Sequence, residues 1–514
     1  MSGSPQIENV VVVVVDALRA GNLGCYGYEY DTSPRIDEFA GESLQFNNAY
    51  VPINNTDPSI TAIHSGIHPT VSVLRQGGRV TKEEKQRAET LPRIPELLSD
   101  RAGYHSAWTG HVLGRWHRNG FDYFPSERPS HEKRILFKHN EQRERARAAL
   151  NAISGRFADT VSDLYYRFEQ TVGDLTDSVR ANDQTETDEI EQLLAQLDVA
   201  RSSDERFYGY THLIETHSPY EADDELIEKY LAEHDYPNRP LEAIADPEPP
   251  ECSPVANVPY AEDWYTERDY EVGVARWYAR YDACVTEADT KIGRLIDGLR
   301  DRGALDETLV VVMSDHGESL EEHGLLFAHT GLHEPVVNIP LLIRVPGSAG
   351  RELSKLVQTI DIAPTVADVF GLSTDELGFH GQSLLPLLRD SHDEEWQDRE
   401  ALLLEEANSQ RRRGLVTKDR KYIFAIEGSQ HPDKVTCRYC GEPHWPLEEL
   451  YHLDADPDER NDLSDRHPQE AQELRETAQS MAEAYSLPTQ IDVSDVTYDD
   501  EEEVIERLEH LGYK

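Results

Sequence analysis

Two acidic residues stand where long apolar runs in this chain stop abruptly, and a histidine follows the second of them. The run Asn9–Val15 ends at Asp16, and Thr308–Met313 ends at Ser314-Asp315-His316-Gly317. Unbroken, largely β-branched runs of this kind read as fully buried strands of a parallel sheet covered on both faces. In open parallel sheets ligands sit outside the carboxyl ends of the strands, so Asp16, Asp315 and His316 are expected to converge there. Two carboxylates brought together are costly without a cation between them, and a divalent metal is the natural resolution. Either aspartate alone is more often a helix N-cap following a strand than a ligand.

The elements that must position these residues follow from periodicity. A third strand is expected over Pro340–Val345, just before Pro346-Gly347. Helical spacing fills Leu91–Asp100 and Tyr278–Arg300, the latter with apolar residues at Val285, Ile292, Leu295, Ile296 and Leu299. Strands alternating with amphipathic helices indicate a doubly wound α/β fold. Residues from about 130 to 200, rich in Arg, Glu, Ala and Gln, read as an inserted helical pair, and 236–260, with seven prolines, as a long loop. The composition shifts after Leu387. Short runs at Lys421–Ile426 and Glu449–Leu453 suggest a smaller C-terminal α+β lobe over 388–514, following a catalytic domain over 1–387. The tail 499–514 is acidic, then amphipathic through Val504, Ile505, Leu508 and Leu511, and is expected to form a terminal helix.

Further blocks carry a resemblance. Thr56-Asp57-Pro58-Ser59-Ile60-Thr61-Ala62-Ile63-His64-Ser65-Gly66 aligns without gaps with a nucleophile followed by x-Pro-Ser-Arg-x-x-Leu-x-Thr-Gly. Asp16-Ala17-Leu18-Arg19 with Gly24-Cys25-Tyr26-Gly27, His217-Ser218-Pro219-Tyr220, and Asp315-His316-Gly317-Glu318 with His323-Gly324 follow the same family's pattern. Gly381-Gln382-Ser383-Leu384-Leu385-Pro386 and Glu449-Leu450-Tyr451, then Asp456 to Glu459 and Asn461-Asp462-Leu463, match its later blocks. In this order the chain resembles the sulfatase family of the alkaline-phosphatase superfamily, from about residue 8 to about 470. The resemblance implies a mixed sheet flanked by helices with a smaller C-terminal α+β lobe. It implies hydrolysis of sulfate or phosphate esters at one divalent metal held by Asp16, Thr56, Asp315 and His316. Thr56 takes the nucleophile position at the start of a helix, whose N-terminus favours an anion.

The departures from the family are chemical. Thr56 cannot become the formylglycine that sulfatases make from Cys or Ser, Ile60 replaces the following Arg, and Ala17 replaces a second acidic ligand. His329 and His111 stand where the family has lysines, and His217 falls on its His-x-Pro-Tyr loop, so these three join Thr56 as candidate catalytic residues. His64 is expected to pack, and His333 stands where the family has an aromatic. Calcium is the family's metal, and a histidine ligand with one fewer carboxylate favours manganese or zinc. Threonine nucleophiles of this type resemble phosphodiesterase, phosphonate-hydrolase and phosphoglycerol-transferase branches. The alternatives are therefore a phosphotransferase that passes the group to an alcohol, or a binding protein that has lost catalysis. The expected substrate is a small-molecule, glycan or lipid-headgroup ester.

Composition narrows the field. Of 514 residues 38% are hydrophobic, enough for a sizeable core, and the formal net charge of -48 disfavours nucleic acid and anionic membranes as partners. No apolar run near the N-terminus approaches the roughly 18 residues of a spanning helix, and neither a basic leader nor a twin arginine precedes Val10. Five cysteines are too few for a disulfide framework, which favours a reducing compartment and the cytoplasm. Cys437 and Cys440 with His444 have the spacing of a zinc knuckle lacking an evident fourth ligand, a candidate structural zinc site apart from the catalytic centre. Of the 50 basic residues only 11 are Lys, and this balance with 98 acids is that of a halophile protein. Concentrated salt screens such self-repulsion to roughly 3 Å. Circular dichroism at falling salt is expected to show the fold being lost; a spectrum unchanged in salt-free buffer rejects the halophile reading.

Overall fold

The computed structural model describes residues 7–72, 91–99, 101–111, 115–125, 188–218, 220–237, 273–324, 329, 331–372, 378–388, 396–406, 412–426 and 446–485. Cys437, Cys440, His444, the tail 499–514, and most of the helical insertion and of the proline-rich loop lie outside these residues.

The strands of the larger part are β1 (Asn9–Val15), β2 (Leu44–Phe46), β3 (Ala49–Tyr50), β4 (Tyr104–Gly110), β5 (Arg206–Leu213), β6 (Thr308–Ser314), β7 (Leu341–Arg344), β8 (Arg351–Leu353) and β9 (Val357–Gln358). Seven of them form one sheet in the order β4-β5-β1-β6-β7-β2-β8, and β3 pairs with β9 separately. The stretch β4-β5-β1-β6 is parallel, whereas β7 runs antiparallel to both β6 and β2. The expected buried strands are therefore present, in a mixed sheet with its antiparallel pairings on one side. An antiparallel strand beside an otherwise parallel run is common in large sheets.

Alternation along β1 divides the core in two. Val11, Val13 and Val15 face helix Val274–Asp301, meeting Cys284, Ala288, Ile292 and Leu295, together with Leu193 and Leu197 of helix Glu189–Ser202. Val10, Val12 and Val14 face the other way, toward Ile60 and Ile63 of helix Thr56–Ser65, Trp108 and Tyr210. Both faces of the strand are thus covered, and each fully buried valine contributes about 1.5–3 kcal/mol. Helix Glu189–Ser202 falls at the end of the expected insertion, and Asp188 caps it by accepting from the N–H groups of Ile190 and Glu191.

A second sheet of four antiparallel strands follows in chain order: β10 (Ala401–Glu405), β11 (Arg412–Thr417), β12 (Arg420–Ala425) and β13 (Glu448–His452). Leu403, Leu415, Tyr422 and Leu450 cover one face with helix Pro468–Ala484, while Leu402, Leu404, Val416 and Ile423 join the core of the larger sheet. Buried charges sit at this junction. Arg412 donates through Nε to Glu406 Oε2 at 2.9 Å and through Nη1 to Glu449, and all three side chains are at most 4% exposed. Removing the cation strands two buried carboxylates, a loss of about 3–5 kcal/mol. Arg412→Leu is therefore expected to lower the denaturation midpoint by that equivalent, and a loss below about 1 kcal/mol contradicts a dehydrated network.

Candidate active site

The carboxyl ends of the four parallel strands lie level. Val15 is in register with Leu213 and Ser314, and Gly110 with His212, so Asp16, His212, Asp315, His316 and His111 emerge along one edge. Behind β1 the chain turns through Ala17 at φ 59°, a left-handed conformation that costs an L-residue about 1–2 kcal/mol. Side chains hold the turn in place. Ala17 N–H donates to Asp315 Oδ1 at 3.3 Å, Leu18 N–H to Ser314 Oγ at 3.0 Å, and Tyr281 OH to the carbonyl of Ala17 at 2.7 Å.

From the opposite side comes helix Thr56–Ser65. Asn55 in extended conformation precedes it and Gly66 at φ 65° ends it, where a Cβ would lie 2.7 Å from the Phe379 ring. Thr56 is its first residue, and Ser59 Oγ ties the first turn to the carbonyl of Asp315 at 2.7 Å. Thr56 Oγ1 lies 3.1 Å from His316 Nε2. His316 Nδ1 is 2.9 Å from the carbonyl of Gly317, an acceptor only, so Nδ1 carries the proton and Nε2 presents a lone pair. That lone pair faces Asp16 Oδ1 at 3.5 Å and Asp315 Oδ2 at 3.6 Å. Neither of these two buried oxygens accepts a hydrogen bond from any described residue.

The electrostatics match this crowding. Burial pushes Asp315 up, and the Asp16 carboxylate adds to the effect. Burial also opposes ionisation of Asp16, but His217, the hydrogen bond from His212 and then His316 hold it well below the usual carboxylate range. Burial and the neighbouring His329 push His316 down to about 3, so its imidazole is neutral at ordinary pH. A pocket with two partnerless carboxylate oxygens and an imidazole lone pair is short of positive charge. Its mixed oxygen and nitrogen donors fit a divalent cation. Asp16, His212 and Asp315 each place a ligand atom within 4.8 Å of the others.

His212 is a residue that sequence reading missed. Its Nε2 lies 3.2 Å from Asp16 Oδ2 and its Nδ1 3.2 Å from Tyr210 OH, and the Asp16 bond raises its pKa against the effect of burial. Glu318 was missed too. It is 1% exposed, accepts from Tyr220 OH at 3.0 Å through Oε2, and directs Oε1 toward His329 Nδ1 at 3.9 Å, beyond a hydrogen bond. The aromatic-rich run Phe207–Leu213 just before the His217 loop was the available signal for the strand carrying His212.

The other sequence candidates fall around this centre. The His329 ring lies 4.5 Å from that of His316, and the His217 ring 6.2 Å from His329. Burial disfavours the charged form of His329, and Glu318 more than reverses that. The His111 ring sits 6.1 Å from His212 and is lowered to about 4 by burial and by His212. His64 packs as expected, 4.6 Å from Tyr210. His333 does not join them: it bonds Glu449 at 2.9 Å and stacks on His323.

Comparison with known proteins agrees with this geometry. Residues 8–372 match the family described as Sulfatase, and 321–485 match the region described as N-sulphoglucosamine sulphohydrolase, C-terminal. The chain is 26% identical over 387 residues to the uncharacterized sulfatase YidJ of Escherichia coli (strain K12), covering 73% of this chain and 70% of that protein. It is 25% identical over 413 residues to the Homo sapiens iduronate 2-sulfatase, covering 71% and 69%. The fold matches the crystal structure of the phosphonate monoester hydrolase of Agrobacterium radiobacter with a TM-score of 0.61 at 18% identity, over 93% and 96% of the two chains. With a family match over residues 8–372 and sulfatase relatives along most of its length, the chain belongs to the sulfatase family.

Proposed function

We propose that this protein is a divalent-metal-dependent hydrolase of sulfate or phosphate esters with Thr56 Oγ1 as its nucleophile. The observation that carries the reading is the Thr56 hydroxyl lying 3.1 Å from the His316 lone pair, beside two buried carboxylate oxygens that accept no hydrogen bond from described residues. Asp16, Asp315, His316 and Thr56 would hold the metal, with His212 orienting Asp16 through its second oxygen. When bound, a divalent cation there acidifies a hydroxyl and neutralises charge on the transferred group. Calcium is the family's metal, and the histidine in the donor set favours manganese or zinc.

The residues of the chain then divide the work. The N-terminus of helix Thr56–Ser65 favours an anion beside Thr56. Thr56 Oγ1, its proton released to solvent, forms a bond to phosphorus or sulfur as the bond to the ester oxygen breaks, and His217 supplies a proton to the departing alkoxide. His329, whose charged form Glu318 favours, and His111 face the charge that develops on the transferred group. Water then releases the anion and restores the threonine hydroxyl. An alcohol in the place of water would make the same site a transferase. Threonine as the nucleophile favours phosphoryl over sulfuryl transfer, since the formylglycine route is closed to it. The substrate is taken to be an ester of a small molecule, glycan or lipid headgroup.

In parallel assays of nitrophenyl sulfate, phosphate, phosphodiester and phosphonate with each metal, Thr56→Ala is expected to lower turnover about 10³-fold or more with metal content retained. Turnover at the parent's rate would show that Thr56 is not the nucleophile. Asp315→Ala is expected to lower both activity and metal occupancy by elemental analysis, and unchanged occupancy moves the metal elsewhere.

A further inference from the structure

His329 is placed by contacts rather than by secondary structure. It lies in the connection between β6 and β7, outside any helix or strand, yet its ring reaches to 4.5 Å from His316. A residue two places ahead of Thr56 accounts for this. Asn54 is fully buried, and its carboxamide nitrogen donates to the carbonyl of His329 at 3.0 Å and to that of Gly331 at 2.9 Å. The amide's two hydrogens thus bind the nucleophile segment to the histidine segment. The N–H of Gly331 in turn donates to Glu406 Oε1 at 3.2 Å, and Glu406 is held by Arg412 of the smaller sheet. Buried side chains therefore hold His329 from Asn54, and Gly331 from both Asn54 and Glu406.

We infer that Asn54 is a positioning residue for the reaction: its carboxamide fixes the backbone of His329 and Gly331 and so sets where the His329 imidazole stands relative to Thr56. The inference rests on the reading that Thr56 and His329 serve the same reaction. A buried amide with both hydrogens on carbonyls of one segment leaves that segment little freedom. Reactive groups displaced by about 1 Å lose on the order of 10²-fold in rate.

The test uses the full chain with metal added, comparing Asn54→Ala, Asn54→Ser, His329→Ala and the double variant Asn54→Ala/His329→Ala. Turnover of the nitrophenyl ester is read beside calorimetric binding of inorganic phosphate and sulfate, which does not depend on turnover. Asn54→Ala is expected to lower kcat by about 10- to 100-fold and to weaken anion binding. Asn54→Ser, which keeps one donor, is expected to lose less and serves alone if Asn54→Ala does not fold. The double variant is expected to be no worse than His329→Ala, because Asn54 acts through that residue. Parent values for Asn54→Ala or for His329→Ala, or losses that multiply in the double variant, overturn the inference. Parent turnover by Thr56→Ala, or a parent that binds neither anion, instead overturns the reading of the site.

Discussion

The structure is organised around the enforced proximity of two buried carboxylates. Asp16 is 3% exposed and Asp315 fully buried, at the ends of neighbouring parallel strands whose register leaves them no room to separate. Burial, and then their repulsion, raises Asp315, while the surrounding histidines hold Asp16 well below the usual carboxylate range. No such arrangement would be stable for its own sake. The N–H of Ala17 offsets part of the repulsion by donating to Asp315 Oδ1, and the two carboxylates with the lone pair of His316 form a donor set suited to a cation.

From that constraint the roles of the surrounding layers follow. The valine-rich strands β1 and β6 must be rigid to hold the pair, and they are, being covered on both faces. Helix Thr56–Ser65 packs Ile60 and Ile63 into one of those faces, so the core that stabilises the sheet also sets the height of Thr56 over the carboxylates. Ile60 stands where the family pattern has an arginine, and it is wholly buried. The helix has exchanged a charged side chain for anchorage at that point.

The smaller sheet is more than an appendage. Its inner face completes the core of the larger one, and the Arg412, Glu406 and Glu449 cluster passes beneath the segment that carries His329 and His333. A buried ion cluster is weak evidence for stability, since apolar residues often serve as well. Its geometric definiteness is what links the smaller sheet to the catalytic edge.

Much of this was legible in the sequence, and the division has a physical basis. The valine run before Asp16, the run before Asp315-His316 and the register of the Thr56 block are local signals, because strand burial and helix starts depend on neighbours in the chain. They determined the fold class, the candidate edge and the residues Asp16, Thr56, Asp315 and His316 that meet there. His212 and Asn54 carry no such mark, and Glu318, though it closes the Asp315–Glu318 block, carries none that names its partners. His212 matters because β5 pairs beside β1, Glu318 because Tyr220 and His329 arrive from separate segments, and Asn54 because one segment folds back over another. The turning of His333 toward Glu449 is likewise decided only by packing, whereas the burial of His64 was expected from its place in the Thr56 helix. Sequence alone determined which residues could do chemistry; which of them face one another was decided by the tertiary structure, because facing is a property of strand order and register rather than of spacing along the chain.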